Sequence, residues 1–131
     1  MEITKKKMKV LLKSQQGELD AVLMYNALAK VVKNTSDAQT FLQLAKEEGQ
    51  HASVFHKLTN RVIRPKKTKA ILLPILYKIF GSNFLYPKIA QGEYAAEKNY
   101  ASLTDCFPEV LSVKKDEKRH GDTVMGLLKK E

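Results

Sequence analysis

Gln-Gly-Glu stands at residues 16–18 and again at residues 91–93, and each copy is followed by a Glu-x-x-His, at residues 48–51 and 117–120. The order is the same both times, which indicates a duplicated helix pair. Two copies of one glutamate and one Glu-x-x-His give four carboxylates and two imidazoles. In four-helix bundles this set, projecting inward from facing helices, forms a two-metal centre.

Four long segments carry apolar residues at intervals of three and four, the pattern of one face of an α-helix. In chain order the stripes are Met8, Leu11, Gln15, Glu18, Val22, Tyr25, Ala29, Val32; Phe41, Leu44, Glu48, His51, Phe55, Leu58, Val62; Tyr86, Ile89, Glu93, Ala96, Tyr100, Leu103; and Val110, Val113, Glu117, His120, Val124, Leu127. Residues 34–37 supply a short connection and an N-cap between the first two helices. The sequence therefore predicts an all-α fold, an antiparallel four-helix bundle of two helix pairs.

Residues 64–81 separate the two predicted pairs. They contain an apolar run at residues 70–77 that is interrupted by Pro74 and followed by Lys78. This run is too short to span a bilayer, and it predicts a short crossover helix, kinked near Pro74, between helices 2 and 3. Contact with a membrane surface or with a second subunit stays open for this stretch, because it is the most continuously apolar part of the chain.

Length and composition predict one domain, residues 1–131, in a reducing, cytoplasmic location. The chain has a single cysteine, Cys106, and a lysine-rich start without the apolar core of a signal peptide. The net charge of +9 is spread over helix faces, which indicates a solvated basic surface or docking to an acidic protein. We expect no nucleic-acid binding, because no basic patch is interleaved with aromatic residues.

The stripes place acidic and histidine side chains where a packed bundle normally has Leu or Val. Buried carboxylates that converge would repel one another, and two divalent cations would balance the four negative charges. The predicted metal ligands are Glu18, Glu48, His51, Glu93, Glu117 and His120. Oxygen and nitrogen donors together suit iron, manganese or zinc, and the imidazoles argue against calcium.

Several neighbours of these ligands carry secondary predictions. Tyr25 and Tyr100 lie two helical turns beyond Glu18 and Glu93, and we expect their hydroxyls either to bond to ligand carboxylates or to pack in the core. Glu97, one turn beyond Glu93, is the further carboxylate that could reach the site.

Four of the six glycines adjoin a predicted ligand: Gly17, Gly49, Gly92 and Gly121. Glycine costs about 1 kcal/mol relative to alanine inside a helix. We therefore expect these residues to open space at the level of the metals, either for close approach of helices or for a small substrate.

The complete pattern resembles the ferritin-like di-iron carboxylate proteins, and within them the rubrerythrin family, from about residue 6 to residue 128. Residues 69–93 are similar to the rubrerythrin-like domain that some proteins carry in front of a vacuolar-iron-transporter-type membrane domain. The resemblance implies two iron ions on the six ligands and often a homodimer. It also places Tyr25 at a position whose side chain contacts the metal ligands. Rubrerythrins have a further carboxylate three residues after the third-helix ligand, where this chain has Ala96, and usually a rubredoxin domain.

The function that the resemblance implies is oxidoreduction at a di-iron centre, with hydrogen peroxide or O₂ as the oxidant and a separate protein as electron donor. Two other functions stay open at this point. One is a non-catalytic iron-binding or iron-delivery module. The other is hydroxylation of a membrane-borne lipid substrate, with the apolar stretch at residues 72–80 as the landing surface.

Overall fold

A computed structural model describes residues 3–128 of the chain. Within these residues there are five α-helices and no β-strand: α1 (Lys5–Val31), α2 (Thr35–Thr59), α3 (Thr68–Phe80), α4 (Ser82–Tyr100) and α5 (Val110–Leu127). A 3₁₀ helix, Ala101–Leu103, follows α4 directly. The predicted all-α fold is confirmed, and so is a short helix between the second and third long helices.

The chain divides into two compact units, with the boundary between Pro74 and Ile75. The first unit contains α1 and α2, and the second contains α4 and α5. Each pair packs along its length, so each unit is one copy of the duplicated helix pair. Helix α3 contains the boundary and runs through Pro74.

Side-chain caps set the ends of the helices in the first unit. The hydroxyl of Thr4 accepts a bond from the Lys7 N–H at 3.2 Å, and the side chain of Asn34 accepts one from the Asp37 N–H at 3.1 Å. Each bond satisfies a backbone donor that the first helical turn leaves open. The N-cap predicted for residues 34–37 is therefore Asn34.

Helix α2 ends earlier than its apolar stripe predicts. Asn60 takes a left-handed conformation with φ 54°, and its N–H donates to the His56 carbonyl at 2.7 Å. Asparagine tolerates this conformation better than most residues and is a common helix stop. Val62 therefore lies outside the helix with 91% of its surface exposed, and the prediction that the stripe continues to Val62 is wrong.

The other stripes form the cores of the two units. In the first unit Tyr25 stacks on Phe41 with ring centroids 5.7 Å apart, and in the second Tyr77 stacks on Tyr86 at 6.4 Å. The aromatic residues of the stripes and most of their aliphatic residues are buried: Leu11, Tyr25, Phe41, Leu44, Phe55, Tyr86, Ile89, Tyr100, Leu103, Val110, Val113 and Val124. Ligand residues therefore project from faces that the surrounding core holds in fixed orientations.

Candidate metal-binding site

Glu18, Glu48 and His51 form a first triad inside the first unit. All three side chains are buried. Nδ1 of His51 lies 2.9 Å from Oε1 of Glu18 on α1 and 3.0 Å from Oε1 of Glu48, one turn earlier on α2. One ring nitrogen thus faces both carboxylates, and the triad joins the two helices at the level of the Gln-Gly-Glu sequence.

Glu93, Glu117 and His120 form the corresponding second triad inside the second unit. Nδ1 of His120 lies 3.5 Å from Oε2 of Glu93 on α4 and 3.6 Å from Oε1 of Glu117 on α5. These three facing atoms are fully buried. The second triad repeats the arrangement of the first with wider spacing.

Both triads fit a metal ion by donor type and by spacing. Ligand atoms about 2.1 Å from one ion lie about 3.0 Å apart at a right angle and about 3.4 Å apart at a tetrahedral angle. The first triad matches the smaller separation, and the second is slightly wider than the larger one. Glu48, His51, Glu117 and His120 are buried groups of the types that hold metal ions, and in both triads Nδ1 is the nitrogen positioned to bind.

The two acidic residues that directly precede the ligand glutamates of α2 and α5 make contacts near the surface. Glu47 accepts a bond from the Gln43 side chain at 2.9 Å, and Asp116 pairs with Arg119 at 3.2 Å. His56 is exposed, and its Nδ1 lies 2.9 Å from the Arg61 carbonyl oxygen. Position on the helix therefore distinguishes the buried Glu and His residues, which could bind a metal, from Glu, Asp and His residues nearer the surface.

The residues predicted to support the ligands occupy different environments. Tyr25 and Tyr100 are buried on the predicted stripes. The carboxylate of Glu97 lies 3.7 Å from the ammonium group of Lys114, and both groups are partly exposed. A contact of these three residues with the metal ligands stays a prediction.

The four glycines near the ligands do not share one role. A Cβ atom added at Gly17 or Gly92 would meet nothing within 4 Å, and one at Gly49 would make only an ordinary contact with Val22 at 3.9 Å. These three glycines are exposed. The expectation that all four open space at the metals is therefore wrong for them, because their missing side chains would point to the surface.

Gly121 alone permits a close approach. Carbon atoms of the Tyr94 ring occupy the place where a Cβ at Gly121 would stand. The Tyr94 hydroxyl donates to Oδ1 of Asp122 at 2.6 Å, and Lys118 pairs with the other oxygen of Asp122 at 2.8 Å. The bond to Asp122, then burial and nearby negative charge, raise the pKa of Tyr94 to about 12, so the phenol remains a donor at neutral pH.

Apolar periodicity does not predict the role of Tyr94, because this residue lies beside the stripe of α4. The available signal was the glycine directly after His120, since a buried glycine inside a helix often marks a close contact. Tyr94 and Gly121 are the neighbours in sequence of Glu93 and His120. Their contact therefore holds α4 and α5 together beside two ligands.

Gln15 has a comparable structural role in the first unit. Its buried side chain donates to the Arg61 carbonyl at 2.8 Å and accepts from the Thr59 hydroxyl at 2.6 Å. The next residue on α1, Gln16, donates to the Arg64 carbonyl at 2.9 Å. These bonds fasten the chain after α2 to α1, one turn before Glu18.

An all-α chain with two buried Glu-Glu-His triads defines a ferritin-like carboxylate protein. Residues 9–128 match the sequence model of the rubrerythrin family. The chain belongs to this family, whose members are ferritin-like di-iron proteins. No curated protein and no solved structure gives a significant match.

Proposed function

We propose that the two triads bind two iron ions and that the protein reduces hydrogen peroxide or O₂ with them. The observation that carries this proposal is the occurrence of the same buried Glu-Glu-His set in each helix pair. Membership of the rubrerythrin family supports iron over manganese or zinc. The four carboxylates balance the charge of two divalent ions, which makes burial of all six ligands favourable.

The chain's own contribution to this chemistry is to fix the ligands and exclude bulk water. When bound, two Fe(II) ions supply the two electrons that convert hydrogen peroxide and two protons into two water molecules. Each histidine lies on the same helical face as a glutamate one turn away, so the Glu-x-x-His pair presents a nitrogen and an oxygen together. A separate protein would have to return the electrons, and the single cysteine, Cys106, agrees with a reducing, cytoplasmic setting.

Metal analysis with a peroxide pulse tests this function. Wild-type protein loaded anaerobically with Fe(II) should retain two iron ions per chain and oxidise them rapidly when peroxide or O₂ is added, with a ferric di-iron absorbance. His51→Ala should lose iron and rapid oxidation, and His56→Ala is the matched control because His56 is exposed. Fewer than two ions in reconstituted wild-type protein would contradict the proposed centre.

An iron-binding module without catalysis is the second candidate. Ala96 stands where rubrerythrins have a further carboxylate, and the nearby Glu97 lies 3.7 Å from Lys114. This chain therefore lacks one carboxylate of the rubrerythrin centre, which supports iron binding without rapid peroxide reduction. Two retained ions that oxidise only at the background rate would support this candidate.

A further inference from the structure

Helix α3 presents an apolar surface that nothing in the described chain covers. None of its thirteen residues, Thr68–Phe80, is buried. Ile71, Ile75 and Ile79 are exposed by 62%, 48% and 66% of their surfaces. Their spacing of four residues places them in one stripe about 12 Å long, and exposed apolar stripes of this kind mark interaction surfaces.

Two exposed aromatic side chains lie at the carboxyl end of α3 and at the start of α4. Phe80 and Phe84 are both exposed, and their ring centroids are 4.6 Å apart. The ammonium group of Lys88 lies 4.8 Å from the centre of the Phe84 ring. A cation beside exposed rings is suited to the boundary between an apolar phase and water, where the ring enters the apolar side and the lysine remains hydrated.

Almost all of the net charge is in the part of the chain that contains α3. Residues 49–92 include no Asp or Glu and eight Lys or Arg residues, so they carry +8 of the total +9. The cations are Lys57, Arg61, Arg64, Lys66, Lys67, Lys69, Lys78 and Lys88. Lys66 and Lys67 directly precede α3, Lys69 and Lys78 lie within it, and Lys88 follows Phe84 on α4.

We propose that α3 docks the protein on an anionic lipid membrane. The stripe and the two phenylalanine rings enter the boundary between headgroups and acyl chains, and the surrounding lysines contact lipid phosphates. None of the helices described for residues 3–128 is long and apolar enough to cross a membrane. In the proposed arrangement α3 lies along the membrane surface.

Charge favours a membrane over a second copy of the chain. Two copies that met through α3 would bring two segments of charge +8 together, and like charges repel. Nucleic acid would match the charge but would leave the isoleucine stripe in water. An anionic bilayer satisfies both features, because phosphates and an apolar layer occur within a few ångströms of each other.

Vesicle co-sedimentation of the full chain tests the proposal. Phosphatidylcholine vesicles with phosphatidylglycerol should pellet the protein, vesicles of phosphatidylcholine alone should pellet much less, and added salt should weaken the binding. Ile75→Glu with Ile79→Glu should lower the vesicle affinity by about tenfold or more. Leu42→Glu is the matched control, because Leu42 is a comparably exposed residue, 52%, on α2, and its effect should stay within about twofold.

Charge variants and size-exclusion chromatography complete the experiment. Lys66→Gln with Lys67→Gln should weaken binding more than Lys5→Gln with Lys6→Gln does. Absence of pelleting on anionic vesicles would overturn the proposal, and so would equal effects of the α3 and control variants. If the wild type is a dimer that the α3 variants convert to monomers without any vesicle binding, the surface is a subunit interface and the membrane proposal is wrong.

Discussion

The two triads share residue types and spacing, yet the first is about half an ångström tighter than the second. Nδ1 lies 2.9 and 3.0 Å from the carboxylates in the first triad and 3.5 and 3.6 Å in the second. A repeat in sequence therefore fixes which groups meet. The residues around the motifs differ between the two copies, and so do the distances between nitrogen and carboxylate.

Packing beside the ligands is the clearest difference between the copies. Leu19 and Tyr94 each follow the glutamate of a Gln-Gly-Glu sequence, and Ala52 and Gly121 each follow the histidine of a Glu-x-x-His. Leu19 therefore corresponds to Tyr94, and Ala52 to Gly121. The first unit thus has two side chains of ordinary size, whereas the second has a large ring against a residue without a side chain. We infer that the Tyr94 ring sets the distance between α4 and α5 at the second triad.

Hydrogen bonding also differs, one turn before the first glutamate of each triad. Gln15 bonds to Thr59, the last residue of α2, and to Arg61, which follows α2. The aligned position in the second unit is Ala90. The first unit therefore has an extra polar connection between its helices near the ligands. This connection agrees with the shorter distances in the first triad.

Substitution of a single ligand, in either triad, should have the largest effect on iron binding. Glu48→Gln and Glu117→Gln should each lower iron affinity by at least about 100-fold, because even groups that only support metal ligands are worth about 10–100-fold. Glu47→Gln and Asp116→Asn are controls one residue away that should retain iron. Metal analysis after dialysis against a chelator gives the result.

The same variants decide whether the triads act together. If all six side chains share the ions, either ligand variant should lose more than half of the wild-type iron. A variant that keeps half of the iron bound at wild-type affinity would show that each triad binds iron independently.

Substitutions in the Tyr94–Gly121 contact should have the next largest effect, which is a change in the free energy of unfolding. Gly121→Ala should lower the free energy of unfolding by about 1–3 kcal/mol, because the Tyr94 ring must move. Tyr94→Leu combined with Gly121→Ala reproduces the Leu19–Ala52 pair of the first unit and should restore most of the loss. Urea denaturation of the four proteins in this cycle measures the coupling.

Additive effects of these two substitutions would contradict the contact between the ring and the glycine. The double variant also tests the link to ligand spacing. If the Tyr94 ring sets the wider spacing, the double variant should bind metal differently from the wild type, whereas the single variant Leu19→Tyr should mainly destabilise the first unit.

Loss of the Gln15 connection should have a moderate effect. Gln15→Ala should cost about 1–3 kcal/mol of unfolding free energy, because the buried Thr59 hydroxyl and Arg61 carbonyl lose their partner. Thr59→Val should remove part of the same energy, so the double variant should lose less than the sum of the two. Gln43→Ala, at an exposed glutamine on α2, should change stability by less than about 0.5 kcal/mol.

Most of the fold and all six candidate ligands can be predicted from the apolar periodicity of the sequence, because helical spacing determines which side chains share a face. Two local features were not. Apolar periodicity does not show where a residue such as Asn60 takes a left-handed conformation. It therefore places Val62 in the helix. It also cannot show what a glycine faces, and the contact that explains Gly121 comes from Tyr94, 27 positions earlier in the chain.

The exposed glycines of the two Gln-Gly-Glu sequences should give the smallest effect, with the opposite sign. Gly17→Ala and Gly92→Ala should each raise the free energy of unfolding by about 0.5–1 kcal/mol, because alanine restricts the unfolded chain and favours the helix. A Cβ at either position meets nothing within 4 Å, so iron content should not change. Thermal unfolding and metal analysis check both statements, and loss of iron in these variants would show that the glycines serve the ligands after all.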